Sequence, residues 1–132
     1  MFPEQQAPMP ADIAHRRPVW LALSDLFLDT ETALSRAWRV SELARSPYSV
    51  AELEDILVFE VYPVCGPNLW SVAGVWAGFD ADWLEARIVD RMASRWPWRR
   101  WAGWRRRAVR RWPEWQAAVQ ALQAQRALRL AP

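Results

Sequence analysis

Two side chains that could act as nucleophile, base or metal ligand occur only once each in this chain, His15 and Cys65. A Ser-His-Asp triad would have to use His15, which stands beside Arg16 and Arg17 at the end of a proline-containing leader. A Cys65 nucleophile would have no other histidine to serve as its base. Metal sites of the Cys/His or His/carboxylate type need more such ligands than the chain supplies. The sequence therefore predicts no enzyme activity, no metal and no cofactor.

Carboxylates are the remaining reactive groups. They cluster as Glu52, Glu54 and Asp55, and again as Asp80 and Asp82. Such spacing is typical of a solvated helix face, and these five residues form the predicted partner-binding surface.

Glu60 is different because it falls within the apolar stripe of a predicted helix. A carboxylate there must be paired or hydrogen-bonded. An arginine of the second or sixth predicted helix, or nearby backbone N–H groups, would satisfy it. A catalytic or ligand-binding role is the alternative.

The net charge of +2 hides a strong asymmetry along the chain. Residues 1–90 carry six arginines and fourteen acids, a net charge of −8, whereas residues 91–132 carry eleven arginines and one acid, a net charge of +10. Either the two parts attract each other within one fold, or one of them meets an external partner of opposite charge.

The positive charge is concentrated in a Trp/Arg-rich segment, residues 96–112. On a helix, one face would carry Trp98, Trp101, Ala102, Ala108, Val109 and Trp112. The opposite face would carry Arg99, Arg100, Arg106, Arg107, Arg110 and Arg111, with Arg105 inside the apolar arc and Trp104 at its edge. This pattern suits a helix docked on the core, a nucleic-acid-binding arm or a helix lying on a membrane surface.

Composition limits the class of protein. A hydrophobic fraction of 52% excludes a fully disordered chain, and a length of 132 residues suits one domain with a buried core. No apolar run is long enough to span a membrane, and the N-terminus does not resemble a signal peptide. The single cysteine permits no internal disulfide. These features predict a cytoplasmic protein.

Helix start signals recur along the chain. They are Pro18, Asp29 or Thr30, Ser49 with Glu52 three residues later, Asp80, Pro97 and Pro113. Pro63 is expected to end the third helix, followed by a turn at 65–68 and a short helix and loop at 69–79. Apolar spacing predicts these inward-facing side chains in the second, third, fifth and seventh predicted helices: Leu34, Ala37, Trp38 and Leu43; Leu53, Ile56, Leu57, Val61 and Val64; Trp83, Leu84, Ile88 and Met92; Trp115, Ala118, Val119, Leu122 and Leu130.

These signals predict an all-α fold, a compact bundle of about six or seven short helices with no sheet. Residues 1–15 are expected to form a flexible leader and residues 16–132 a single helical domain. Within that domain, residues 96–132 would pack as Trp/Arg-rich C-terminal helices on a core formed by residues 16–95.

Several stretches together resemble a family of short bacterial proteins known only as a domain of unknown function. They are RRPVWLALSDLFLDT, SPYSVAELEDILVFEVYPV, NL at 68–69 and GVWAGFDADWL from Gly74, within about residues 16–90. The resemblance implies a helical fold and supplies no activity, cofactor or catalytic residue. The family pattern leads us to expect a carboxylate where Val75 stands, which weakens a reading of that loop as an active site. The segment 96–132 lies outside the resemblance.

The leading functional hypothesis is a small protein-binding protein of the immunity or antitoxin type, which occludes a bacterial toxin or effector. The acidic part of the chain would cover a basic cleft of that partner. Nucleic-acid binding through the arginine face of the helix 97–112 is the alternative. A membrane-surface helix is a third hypothesis. Self-association through exposed aromatic side chains is compatible with each. In the simplest interpretation the arginine helix only clamps the acidic core.

Overall fold

A computed structural model describes residues 10–27, 33–66, 80–93 and 102–130, and within these ranges every regular element is helical. The elements are α1 (Pro10–Ser24), a 3₁₀ turn (Asp25–Phe27), α2 (Ala33–Arg45), α3 (Val50–Ile56), a π-helical turn (Leu57–Val61), α4 (Tyr62–Cys65), α5 (Ala81–Ala93), α6 (Ala102–Arg110) and α7 (Pro113–Leu130). Because α3, the π-helical turn and α4 are continuous, they form one central helix, 50–65. The described ranges thus hold six helices and no strand, which confirms the predicted all-α bundle.

The first helix begins earlier than predicted. Pro10 occupies its first position, where a missing N–H costs nothing, and Asp12 favours the same end of the helix dipole. Residues 10–15 therefore belong to α1 rather than to a flexible leader. Pro18, the predicted start, lies inside α1. Pro18 and Ala14 both lie on the exposed side, where water can bind the carbonyl that loses its helical donor.

The central helix begins at the predicted capping box. The Ser49 hydroxyl accepts from the Glu52 N–H at 3.1 Å, and the Glu52 carboxylate accepts from the Ser49 N–H at 3.0 Å. Its predicted end at Pro63 was wrong. The Tyr62 N–H donates to the Leu57 carbonyl, five residues back, in a wider π-helical turn. A new helical turn begins there, and Pro63 stands at its start, where a residue without an N–H is tolerated.

The apolar core surrounds the central helix. Val58 belongs to the core although the predicted stripe omitted it, because the π-helical turn rotates the residues that follow Ile56. The buried core side chains include Leu53, Ile56, Leu57, Val58 and Val61 of the central helix, Val19, Trp20, Ala22 and Leu23 of α1, Leu43 of α2, Leu84 and Ile88 of α5, Val109 of α6, and Trp115, Ala118 and Leu122 of α7.

Some predicted inward-facing residues point outward. Ala37 and Trp38 are exposed because the inner side of α2 is taken by Arg39, whose Nη1 donates to Asp25 at 3.1 Å. Trp83 is 43% exposed and Leu130 is 86% exposed. Half-buried positions are Val64, Met92 and Val119. On these helices, fewer side chains are therefore buried than helical periodicity alone predicts.

Two further helix starts match the sequence signals. The Asp80 carboxylate accepts from the Trp83 N–H at 2.8 Å, as expected of an N-cap, and Pro113 opens α7. Several other predictions lie outside the described residues. They are residues 1–9 of the leader, the cap at Asp29 or Thr30, the burial of Leu34, the segment 67–79, and the start of the sixth predicted helix at Pro97 with the burial of Trp98, Trp101 and Ala102.

Arg126 of α7 holds the end of α2 in place. Its guanidinium donates to the carbonyls of Leu43, Ala44, Ser46 and Tyr48, at 3.0, 3.3, 3.3 and 2.7 Å respectively. The Leu43 carbonyl also accepts from the Ser46 N–H at 3.3 Å and from the Ser46 hydroxyl at 2.7 Å. Arg126 therefore adds to the cap of the last turn of α2 and extends it to the connection with α3.

We expect Arg126→Ala to lower the free energy of unfolding by about 2–3 kcal/mol, because it removes the charged hydrogen bonds to these four carbonyls. Chemical denaturation monitored by circular dichroism measures the change. Arg129→Ala is the matched control, because Arg129 is exposed on the same helix. Equal effects of the two substitutions would contradict a capping role for Arg126.

Candidate binding surface

The predicted acidic surface and the predicted arginine face meet each other in the fold. Arg106 of α6 donates to the Glu54 carboxylate and, from Nη2, to Asp55 Oδ1 at 2.6 Å. Arg110, one turn later, donates to Glu54 at 3.3 Å from both Nε and Nη2. The charge asymmetry of the chain is thus partly neutralised inside the molecule, through an ion-pair cluster that clamps α6 onto α3.

Burial differs between the two acids of this clamp. The Glu54 side chain is 14% exposed and accepts from two arginines, whereas the Asp55 side chain is 56% exposed. Hydrogen bonds to Asp55 and Glu54 raise the pKa of Arg106. Since exposed ion pairs contribute little and shielded ones more, Glu54 is the acid on which the clamp depends.

The other three predicted partner-binding acids also have intramolecular roles. Glu52 is the second member of the capping box, and its hydrogen bonds at Ser49 lower the pKa of the carboxyl. Asp80 caps α5. Asp82 accepts from Arg17 of α1 at 2.5 Å, and Arg17 also reaches Glu85 at 3.4 Å. The five acids therefore lie on two separate helices, 50–65 and α5 with its cap.

On α6, the outer edge remains free of the clamp. Trp104 is 53% exposed, and Arg107 and Arg111 follow it by three and seven residues on the same side of the helix. Neither arginine forms an ion pair with any residue in the described part of the chain. Arg99 and Arg100, the other predicted members of the arginine face, lie outside it. We refer to Trp104, Arg107 and Arg111 as the outer edge of α6.

The inner side of α6 matches the predicted sorting in part, since Ala108 and Trp112 of the predicted apolar face are only half-buried. Val109 is fully buried and Arg105, placed by the sequence inside the apolar arc, is only 8% exposed. Tyr62 contacts the edges of Trp104 and Trp112, with ring centroids 5.9 and 6.5 Å apart. Aromatic packing therefore fixes α6 and the start of α7 against the central helix.

Glu60 is paired, as predicted, but with α1 rather than with the second or sixth predicted helix. Its carboxylate accepts from the Arg16 guanidinium and from Trp20 Nε1, the latter at 2.7 Å. The guanidinium of Arg16 also lies 5.6 Å from the centre of the Tyr48 ring. Sequence reasoning missed Trp20 as a donor because its apolar spacing indicated only core packing.

The Glu60 cluster borders a small cavity of about 190 Å³, which is also lined by Tyr48, Glu52, Asp55 and Ile56. Cavities that enclose drug-sized ligands are larger, about 300–1,000 Å³. Both Glu60 oxygens already accept hydrogen bonds. This arrangement joins α1 to the π-helical turn and leaves Glu60 poorly placed as a general base.

Cys65 is fully buried at the end of the central helix, and burial raises the pKa of its thiol to about 12. We expect no reaction with a thiol reagent at pH 8 until the chain unfolds, because the thiolate is the reactive form. Labelling with and without denaturant tests this, and prompt labelling of the native protein would contradict it.

The raised pKa of Cys65 also predicts how stability depends on pH. Since the unfolded thiol ionises near 9.0 and the folded thiol does not, the free energy of unfolding should fall as the pH rises above that value.

Within the residues that the structure describes, no three metal-ligating side chains come together, and no helix is long and apolar enough to cross a membrane.

Comparison with known proteins gives one family match. A family model described as a domain of unknown function (DUF7079) matches residues 14–125. The match confirms the predicted resemblance to an uncharacterised family and extends it beyond residues 16–90. The Trp/Arg-rich helices α6 and most of α7 therefore lie inside the matched region, contrary to the prediction. No curated protein and no solved structure matches the chain.

Proposed function

This chain belongs to the DUF7079 family, whose function is unknown, and from its geometry we propose that it is a non-enzymatic protein-binding protein. The observation that supports the proposal is the outer edge of α6. There a half-exposed indole stands beside two exposed arginines that no described residue pairs. Tryptophan and arginine are the residue types most enriched at the energetic centres of protein interfaces.

The charge of this edge indicates the chemistry of the partner. Arg107 and Arg111 favour a partner with an acidic surface, because complementary charge accelerates association and selects the partner. The acids Glu52, Glu54, Asp55, Asp80 and Asp82 are the weaker candidates for the interface, because each already has an intramolecular hydrogen bond or ion pair. A partner with an acidic surface therefore matches the outer edge of α6 better than a partner with a basic cleft does.

The concrete form of the proposal is an immunity or antitoxin-type protein that occludes a toxin or effector through the outer edge of α6. The chemistry of the described residues supports a binding role over catalysis. Cys65 stays protonated at neutral pH, and Glu60 is held by two donors. Neither group is available to a substrate as a base or nucleophile.

Affinity capture from the native host tests the proposal with matched variants. Tagged wild type is compared with Trp104→Ala/Arg107→Glu and with the control Trp38→Ala/Arg129→Glu, which alters an exposed indole and an exposed arginine on other helices. The partner captured by wild type is then purified and titrated. We expect Kd to rise by about 30-fold or more in the α6 variant and to stay within about threefold in the control.

The same variants decide the occluding role. If the captured partner is toxic when expressed, wild type and the control should restore growth and the α6 variant should not. A partner that binds both variants equally would exclude the outer edge of α6 as the interface. Capture that depends on nucleic acid, and disappears after nuclease treatment, would overturn protein binding as the function.

Nucleic-acid binding is a second candidate, which we propose on one specific observation: an exposed indole and unpaired cations share the outer edge of α6. The clamp weakens it, since Arg106 and Arg110 are committed to Glu54 and Asp55. Phosphate contacts from Arg107 and Arg111 alone would make affinity fall about 10-fold between about 50 and 200 mM salt. Six arginines would give a fall of about 1,000-fold.

Titration of a fluorescent single-stranded oligonucleotide at several salt concentrations tests this candidate. Binding whose affinity falls only about 10-fold between about 50 and 200 mM salt, and which Arg107→Ala/Arg111→Ala abolishes, would support it. Absence of binding at the lowest salt concentration would exclude it.

A further inference from the structure

Arg105 is a buried cation without a counter-ion in the described part of the chain. Arg105 is 8% exposed, and its Nη1 has no hydrogen-bond acceptor among the described residues. The other deeply placed arginines, Arg16 and Arg39, also have a buried Nε without an acceptor, but each has a counter-ion. Arg39 pairs with Asp25, and Arg16 pairs with Glu60.

The absence of an acceptor is costly. Placing an unpaired charge away from water is among the most unfavourable events in folding, and buried polar groups in native proteins nearly always have partners. Burial lowers the pKa of Arg105, and the charge of Arg91 on α5 lowers it further. Both effects would be relieved by a negative group at this position.

The surroundings of Arg105 suit an anion. The sequence from 91 to 113 contains nine arginines and no acid, so the segment supplies no carboxylate of its own. The guanidinium lies 5.8 Å from the centre of the half-exposed Trp104 ring, and the centre of the Tyr62 ring lies 5.9 Å from the centre of that indole.

We propose that Arg105 forms a binding site for an oxyanion group, a carboxylate or a phosphate, beneath the Trp104 indole. A guanidinium presents paired N–H donors that match the oxygens of either group. The indole covers the guanidinium and must shift to admit the ligand. The site shares Trp104 with the outer edge of α6 but does not use Arg107 or Arg111, and it does not require that edge to bind a protein.

Thermal unfolding of the full-length protein tests this site. Wild type is heated with inorganic phosphate, with acetate and with chloride at matched ionic strength, each up to about 50 mM. For a dissociation constant of about 1 mM, the favoured oxyanion should raise Tm by about 5–10 °C over chloride. A rise with phosphate identifies a phosphate site, and a rise with acetate identifies a carboxylate site.

Arg105→Met and Arg107→Met are the paired variants. Arg105→Met keeps most of the side-chain length and removes the unpaired charge, so it should fold, and in chloride it should have a higher Tm than wild type. It should lose the oxyanion-dependent rise, whereas Arg107→Met should keep it. Absence of a rise in wild type with either anion, or an equal rise in Arg105→Met, would overturn the proposal.

Discussion

Truncation of the chain after Ser94 should abolish cooperative unfolding. The removed segment contributes Val109, Trp115, Ala118 and Leu122 to the core, together with the arginines that clamp α3. Burial of each large apolar side chain stabilises a domain by about 1.5–3 kcal/mol, whereas net stabilities are only about 5–15 kcal/mol. We therefore expect residues 1–94 to lose the sharp thermal transition and to bind a hydrophobic dye.

The control is a much shorter deletion from the same end. Removing residues 127–132 keeps Arg126 and takes away four described residues, 127–130, that are all exposed. Tm should stay within about 2 °C of wild type, because surface residues away from caps and ion pairs contribute little. If residues 1–94 unfolded as cooperatively as this control, α6 and α7 would be an appendage rather than part of the core.

Local chemistry explains which parts of the fold were predictable from the sequence. The Ser49–Glu52 capping box, the Asp80 cap and the start of α7 at Pro113 each depend on side chains within three or four residues of a helix end. Both partners of such an interaction are close together in the sequence, so a sequence pattern identifies them. Part of the apolar faces of α5 and α7 was predictable for a similar reason, since helical period alone brings Leu84 and Ile88 to one side, although it also selected Trp83 and Leu130, which are exposed.

Pairings between residues far apart in the sequence were not predictable in the way that the local caps were. The charge asymmetry allowed acids and arginines to attract each other within the fold or to meet an external partner, and the observed pairing of Glu54 with Arg106 joins positions 52 residues apart. The four carbonyls capped by Arg126 lie about 80 residues away from it. Which arginine reaches which acceptor depends on how the helices pack, and the packing is a property of the whole chain.

The π-helical turn shows a different limit. Pro63 is an ordinary signal for a helix end, and the sequence does not show that a wider turn at Leu57–Val61 carries the helix through it. The consequence reaches the candidate site, because this turn contains Glu60 and presents it to α1 instead of to the helices expected from charge alone. One local irregularity thereby decides a long-range pairing.

Trp20→Ala should lower the free energy of unfolding by about 3–5 kcal/mol, a large part of the about 5–15 kcal/mol by which a typical domain is stable. Trp20 is 1% exposed and is both a core side chain and a donor to Glu60 at 2.7 Å. Truncation leaves a cavity and removes one of the two hydrogen bonds that hold a part-buried carboxylate. Equilibrium denaturation with urea measures the loss, provided that the slope with denaturant stays constant.

Trp20→Phe keeps an aromatic ring at this position but removes the N–H donor together with the pyrrole part of the indole, so the hydrogen bond itself is isolated by a double-mutant cycle. We expect a loss of about 1–3 kcal/mol, the range for a hydrogen bond to a charged group and the carboxylate left behind. The same substitution at Trp104, which is 53% exposed, should change stability by less than about 0.5 kcal/mol. A double-mutant cycle of Trp20→Phe with Glu60→Gln should then give a coupling energy of about 1 kcal/mol. If the cycle showed no coupling, Trp20 would stabilise α1 by packing alone, and the pairing of Glu60 would depend on Arg16.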